Sequence, residues 1–161
     1  MMRANGDAAF MNALHGIEGE ITHPDLCKKF GLALGLTEDD FADELPLPEV
    51  VAHTSVIVAG PLLFSNPAVG PAGAMSDETI VQRYSLEFSK YLPNPPYNLS
   101  SDAIEFFTVH GTVDIDHSAA AAAAVARLTR TDADRALVEQ TVRAKSKLKL
   151  AKWQAIYDYY A

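Results

Sequence analysis

Phe106-Phe-Thr-Val-His110-Gly-Thr-Val-Asp114-Ile-Asp116-His117 is the stretch on which the reading of this chain turns. It lies in a long helix-forming run, so His110, Asp114 and His117 fall at i, i+4 and i+7. At roughly 100° per residue these three side chains share one helix face within about 60°. Two imidazoles and a carboxylate projecting side by side are what a borderline metal such as Fe(II), Mn(II) or Zn(II) requires. The flanks are apolar, with Phe106 and Phe107 one turn before and an alanine tract at 119–124 after. A polar triplet on such a helix is expensive to bury without a partner, which makes a metal the leading explanation.

Outward from this helix the punctuation is that of an all-α protein. A first amphipathic segment spans about residues 7–19 and ends at Glu18-Gly19-Glu20. His23-Pro24 opens a helix to about Leu34, with Pro24 suited to the first turn and Gly35 to the C-terminal stop. Thr37-Glu-Asp-Asp40 reads as a short capped helix. Pro48 begins another over residues 49–64, bent or ended near Pro61. The glycines and prolines of 61–73 predict an irregular connection, after which Ser76 caps a helix to about Leu92. Pro93-Asn-Pro-Pro96 is a hard break. Ser100 or Ser101 caps the motif helix, which runs to about Leu128. Thr131-Asp-Ala-Asp134 resembles a capping box and starts a last helix reaching Tyr157 or beyond. With no sustained strand alternation and no repeat, the expectation is one helical-bundle domain over residues 1–161, with short loops. The alanine tract favours close helix approach.

Composition narrows the class. The chain has 161 residues, 48% of them hydrophobic, enough for a single core. A formal net charge of −8 argues against a general nucleic-acid binder. Eight of its thirteen basic residues lie between Arg127 and Lys152, which we read as a solvated face of the last helix rather than a surface for an acidic ligand. The one cysteine, Cys27, excludes an intramolecular disulfide framework and fits a reducing cytoplasm. The N-terminus shows no apolar signal region, and the most apolar stretch, 50–64, is too short to span a bilayer. A soluble, cytoplasmic protein is expected, with no nucleic-acid or membrane partner.

Three ligands on one helix do not close a site, so Glu, Asp or His must come from other helices. Two regions qualify. Glu78 stands near the start of the helix capped by Ser76, where taken alone it reads as a surface residue complementing the helix dipole. Glu18-Gly-Glu20-Ile-Thr-His23 offers a glutamate and a histidine, with Glu20 and His23 at i, i+3 or Glu18 pointing inward from the preceding helix. A polar interhelix turn accounts for that spacing equally well. His15 and His53 carry no motif and read as packing or surface histidines. Trp153, Tyr157, Tyr159 and Tyr160 are expected to pack against the bundle.

Taken together, these segments resemble the haem-oxygenase-like diiron oxidases, within the wider group of thiamine-salvage and pyrroloquinoline-quinone-synthase-like proteins. The resemblance rests on His23-Pro-Asp-Leu with Ala33-Leu-Gly-Leu36, on Glu78 with Ile80-Val-Gln-Arg-Tyr84, and most strongly on Phe106 to His117. The family pattern of histidine, three residues, aspartate, two residues, histidine is met without a gap, and Glu78 stands 32 positions before His110. The resemblance covers about residues 10–160. It implies a haem-oxygenase-like helical bundle binding two irons (Fe2+/Fe3+), with Mn/Fe or zinc occupancy also open. It further implies O2 activation on a small organic substrate, the metal supplying the redox chemistry and the protein fixing geometry in a dry pocket.

On this resemblance Glu78 is a carboxylate ligand that bridges or moves between metals. His110, Asp114 and His117 are shared between the irons, and His23 with Glu18 or Glu20 completes the set. Asp116, on another helix face, is an exposed or supporting carboxylate. Tyr84, Phe106, Phe107 and the helix at 50–64 are expected to line the substrate pocket. The chain departs from the family in being shorter by about one or two N-terminal helices, so one wall is expected to be open or filled by a second subunit of a homodimer. Two alternatives stand beside this reading. One is a metal-free relative of the quinone-forming or thiamine-salvage enzymes, the latter relying on a nucleophilic cysteine for which Cys27 is the candidate. The other is a non-catalytic bundle or decayed paralogue.

Overall fold

The computed structural model describes residues 23–41, 45–63 and 65–161. Glu18 and Glu20, and the first amphipathic segment, lie outside the described residues. Among the described residues there are five α-helices and no strand: α1 His23–Ala33, α2 Pro48–Leu63, α3 Val69–Tyr91, α4 Glu105–Leu128 and α5 Asp132–Tyr160. A 3-10 turn, Glu38–Phe41, follows α1.

Local chemistry sets most helix ends where the sequence places them. α1 stops in a turn of the Schellman type: Gly35 takes a φ of 97°, its N–H donates to Leu32 O at 3.0 Å, and Leu36 N–H donates to Gly31 O at 3.1 Å. α5 opens on the expected capping box, with Thr131 Oγ1 accepting from Asp134 N–H at 3.1 Å and Asp134 Oδ2 accepting from Thr131 N–H at 2.9 Å. The turn before α4 begins at Ser100, whose Oγ accepts from Ala103 N–H at 3.2 Å, and regular helix starts at Glu105.

α2 runs through Pro61 to Leu63, within a residue of the 49–64 span read from the sequence. The start of α3 differs from that reading. α3 begins at Val69, so the stretch read as irregular up to Gly73 is largely helical. Pro71 causes no break because it lies in the first turn, where the missing N–H has no intrahelical acceptor in any case. Asn66 starts this helix, its Oδ1 accepting from Ala68 N–H at 2.9 Å.

The chain divides into two compact units, one from Met1–Glu44 with Thr79–His117, the other from Leu45–Glu78 with Ser118–Ala161. In the first unit the core is Leu92, Ile104 and Phe107, with Phe30, Tyr84, Leu99 and Phe106 packed around them. Phe107 sits edge-on to Phe30 at 4.9 Å and to Phe88 at 5.1 Å, adding quadrupole contacts to the burial of its own ring. That burial contributes on the order of 1.5–3 kcal/mol. Lys29 of α1 donates to Asp102 Oδ1 at 2.8 Å and also pairs with Glu105, tying α1 to the start of α4.

In the second unit α2 packs on α5. Its interior is built of small residues, Ala68, Val69, Ala72, Ala121 and Ala124, so the alanine tract turns two of its members inward. The basic run on α5 is not wholly solvated, because Lys145 and Lys149 are buried. The C-terminal aromatics do not pack inside: Trp153 is 41% exposed and Tyr157, Tyr159 and Tyr160 are more so.

Candidate metal centre

The motif helix α4 does what its spacing predicts for two of its three polar residues. Asp114 and His117 turn the same way, with Asp114 Oδ1 3.7 Å from His117 Nδ1. Asp114 is 1% exposed and the His117 side chain 8%, so both have left water. Glu78 of α3 joins them: one ligand atom from each of Glu78, Asp114 and His117 lies within 4.8 Å of the others.

The meeting of α3 with α4 has a local cause. Gln82 Nε2 donates to Gly111 O at 3.3 Å. A Cβ at Gly111 would stand 3.2 Å from Leu86 Cδ2, so its missing side chain lets α3 come close. Glu78 lies one turn ahead of Gln82 on the same unbroken helix. It is also the tenth residue of α3 rather than part of its first turn, which removes the dipole-complementing reading.

His110 occupies a different position. It is buried, its Nδ1 lies 2.6 Å from Phe106 O, and the Phe106 ring stacks on its imidazole at 4.1 Å and 29°. A proton on Nδ1 donated to that carbonyl fixes the ring's orientation and makes Nε2 the nitrogen that can ligate. The ring of His23, at the start of α1, meets His110 edge-on with centroids 4.7 Å apart. The upstream histidine and the first motif histidine are thus neighbours, although His23 as a whole is exposed. Asp116 is exposed, on the outer face.

This donor set fits a divalent cation. Two carboxylates and an imidazole within 4.8 Å concentrate negative charge where water is scarce. Carboxylates held so close repel each other, and a cation between them converts that repulsion into attraction. Oxygen and imidazole ligands together suit iron, manganese or zinc better than magnesium or calcium.

The aromatic residues expected to line a pocket have more specific places. Phe107 belongs to the core, Phe106 covers His110, and Tyr84 packs against the same core. A cleft of about 560 Å³ in the same unit is lined instead by Phe30, Leu34, Phe88, Tyr91 and Leu92 with the turn that follows. Of α2, Val56 and Gly60 border a smaller cavity in the second unit.

Two further expectations are corrected. Cys27 is exposed, and partial desolvation pushes its thiol up from the ordinary value, the opposite of what the nucleophilic-cysteine alternative requires. His53 is neither a surface nor a simple packing histidine. It is 4% exposed, with Nε2 3.5 Å from Asp77 Oδ1 in a buried group that includes Lys145 and Lys149. Sequence reasoning missed this group because His53 and Asp77 stand far in the chain from each other and from the Lys145–Lys149 pair, whose i, i+4 spacing is that of any solvated helix face.

No helix among the described residues is long and apolar enough to cross a membrane. The family model described as iron-containing redox enzyme matches residues 9–149. No curated protein matches the chain. The chain belongs to the family of iron-containing redox enzymes, and its all-α fold is the haem-oxygenase-like one.

Proposed function

We propose that this iron-containing redox enzyme holds two irons and uses O2 to oxidise a small organic molecule. The observation that carries the reading is the convergence of Glu78, Asp114 and His117 from two helices, with Asp114 buried and the other two half-buried. The neighbouring pair His23 and His110 supports a second metal position, with Glu18 or Glu20 as the carboxylate that would complete it.

Under this reading the chain's own groups have distinct tasks. Asp114 and Glu78 supply negative charge that holds the cations and favours their more oxidised state. His117 and His110 supply neutral nitrogen. Phe106 acts twice, its carbonyl orienting His110 through Nδ1 and its ring excluding water from one side of the imidazole. Iron, when bound, supplies the electrons for reducing O2, chemistry that no side chain here provides. The rigid packing of Phe107, Leu92 and Ile104 behind α4 keeps the ligands in register.

The test is metal content after anaerobic Fe(II) loading, followed by O2 uptake. About two irons per chain is expected from the family resemblance, with loss of iron in His110→Ala and in Asp114→Asn. A chain that retains full iron in both variants, or that takes up none when unaltered, refutes the assignment. Circular dichroism of the variants separates lost ligation from lost folding.

A further inference from the structure

The second unit contains a charge imbalance that the iron chemistry leaves unused. The Lys145 and Lys149 side chains are 7% and 6% exposed, and one carboxylate, Asp77, answers both. Lys145 Nζ donates to Asp77 Oδ2 at 3.2 Å; Lys149 Nζ lies 2.9 Å from Oδ1 and donates to the Asp77 carbonyl at 3.3 Å. His53 Nε2, also buried, has no hydrogen-bond partner among the described residues. Lys152 adds further positive charge at the edge of the group; desolvation first, then that charge, lowers the His53 pKa against the opposing pull of Asp77. Two ammoniums against one carboxylate leave a surplus positive charge in the interior, a costly arrangement without a counter-ion.

Beside the surplus lies an apolar cavity of about 130 Å³. Val56, Val69, Leu137 and Ala144 supply its walls, and Lys145, Gln140 and Thr141 its polar groups, the Thr141 hydroxyl already donating to Leu137 O at 2.8 Å. Lys145 borders the cavity, and its stem lies over Gly73, where a Cβ would stand 2.8 Å from the lysine Cδ, so the bare backbone of α3 forms a cradle for it. Among the described residues, one of the three ammonium donors is used, on Asp77. A dry cavity of roughly 150 Å³ is known to accommodate benzene. The space here therefore suits an apolar tail of about four to six carbons.

We propose that Lys145 and this cavity form a binding site for a small monocarboxylate, its head group on the ammonium and its tail in the cavity. The surplus of positive charge suits a carboxylate, and an apolar lining rejects phosphate, which needs several donors. None of Glu78, Asp114 and His117 takes part, so the site goes beyond the oxidation proposed above and does not depend on it.

The experiment is calorimetric titration of the full chain with hexanoate, 1-hexanol and inorganic phosphate, repeated on Lys145→Met and Val56→Phe. Hexanoate is expected to bind and to raise the melting temperature, with hexanol about tenfold or more weaker and phosphate silent. Lys145→Met keeps the stem and removes the charge, and should weaken hexanoate by about tenfold or more. Val56→Phe keeps the charge and fills the cavity, and should abolish binding while the protein still melts cooperatively. If Lys145→Met fails to fold, Val56→Phe and the hexanol comparison carry the test. Hexanoate binding unchanged in the folded variants, hexanol binding as tightly, or no hexanoate binding at millimolar concentration overturns the proposal. His110→Ala should bind hexanoate like the unaltered chain, so a failure of the iron assignment leaves this result readable.

Discussion

Replacing Gly73 by alanine sets two effects of opposite sign against each other. Gly73 is the fifth residue of α3, and in an ordinary helix interior the change stabilises by about 0.8–1.0 kcal/mol, because glycine surrenders more backbone freedom on folding. Here the new methyl would stand 2.9 Å from Lys145 Cε and 2.8 Å from its Cδ, and would collide with its ammonium. The lysine must leave its groove and give up its bond to Asp77. A hydrogen bond to a charged group contributes about 1.5–3 kcal/mol. Asp77 keeps Lys149 and some access to water, which places the loss towards the lower end of that range. The net expectation is destabilisation of about 0.5–1 kcal/mol, lowering the melting temperature by about 1–4 °C in a chain of this length. Urea unfolding with an unchanged m-value is the appropriate assay. The decisive control is the same substitution in a Lys145→Ala background. There nothing occupies the groove, and Gly73→Ala should stabilise. Equal stabilisation in both backgrounds would refute the reasoning, since it would mean that the cradle does not constrain the lysine.

Other consequences are simpler to state. Thr131→Ala removes the hydroxyl half of the α5 capping box and should cost about 1 kcal/mol in the same assay, whereas Thr131→Ser should restore most of it. Gly35→Ala meets no neighbour within 4 Å, so its expected cost of about 1–2 kcal/mol comes from placing a Cβ at a φ of 97° alone; an unchanged midpoint would contradict it. Desolvation and the charges of Lys152 and Lys149 lower the His53 pKa against the opposing pull of Asp77. The unfolded chain then binds the extra proton first. Stability should therefore fall as pH drops below about 6.5, and His53→Gln should flatten that limb of the profile. A His53→Gln profile superimposable on the parent's would show that His53 does not titrate this way.

Much of the fold was legible because its signals are local. The Thr131–Asp134 box and the Gly35 stop each involve residues within one or two turns, where backbone geometry leaves few choices. The i, i+4, i+7 spacing put His110, Asp114 and His117 on one face, and for Asp114 and His117 that was enough to find the polar centre. Glu78 was located as a candidate, but its context was misjudged. The glycines and prolines of 61–73 read as an irregular connection, yet Pro71 in the first turn of α3 costs no hydrogen bond, and the helix it permits carries Glu78 far from a terminus.

Tertiary packing decided what no periodicity encodes. Lys145 and Lys149 are spaced like any solvated lysines, and they are buried only because Gly73 opens a groove in another helix and Asp77 stands at its end. His53, some twenty residues from Asp77 and about ninety from the lysines, has no pattern to betray it. His110 and His23 became neighbours through the packing of α1 against α4, where Phe30 meets Phe107. Which faces lie inward along one helix is a property of its own repeat. Which side chains meet across helices depends on how closely the backbones approach, and here the small residues Gly73 and Gly111 set that distance.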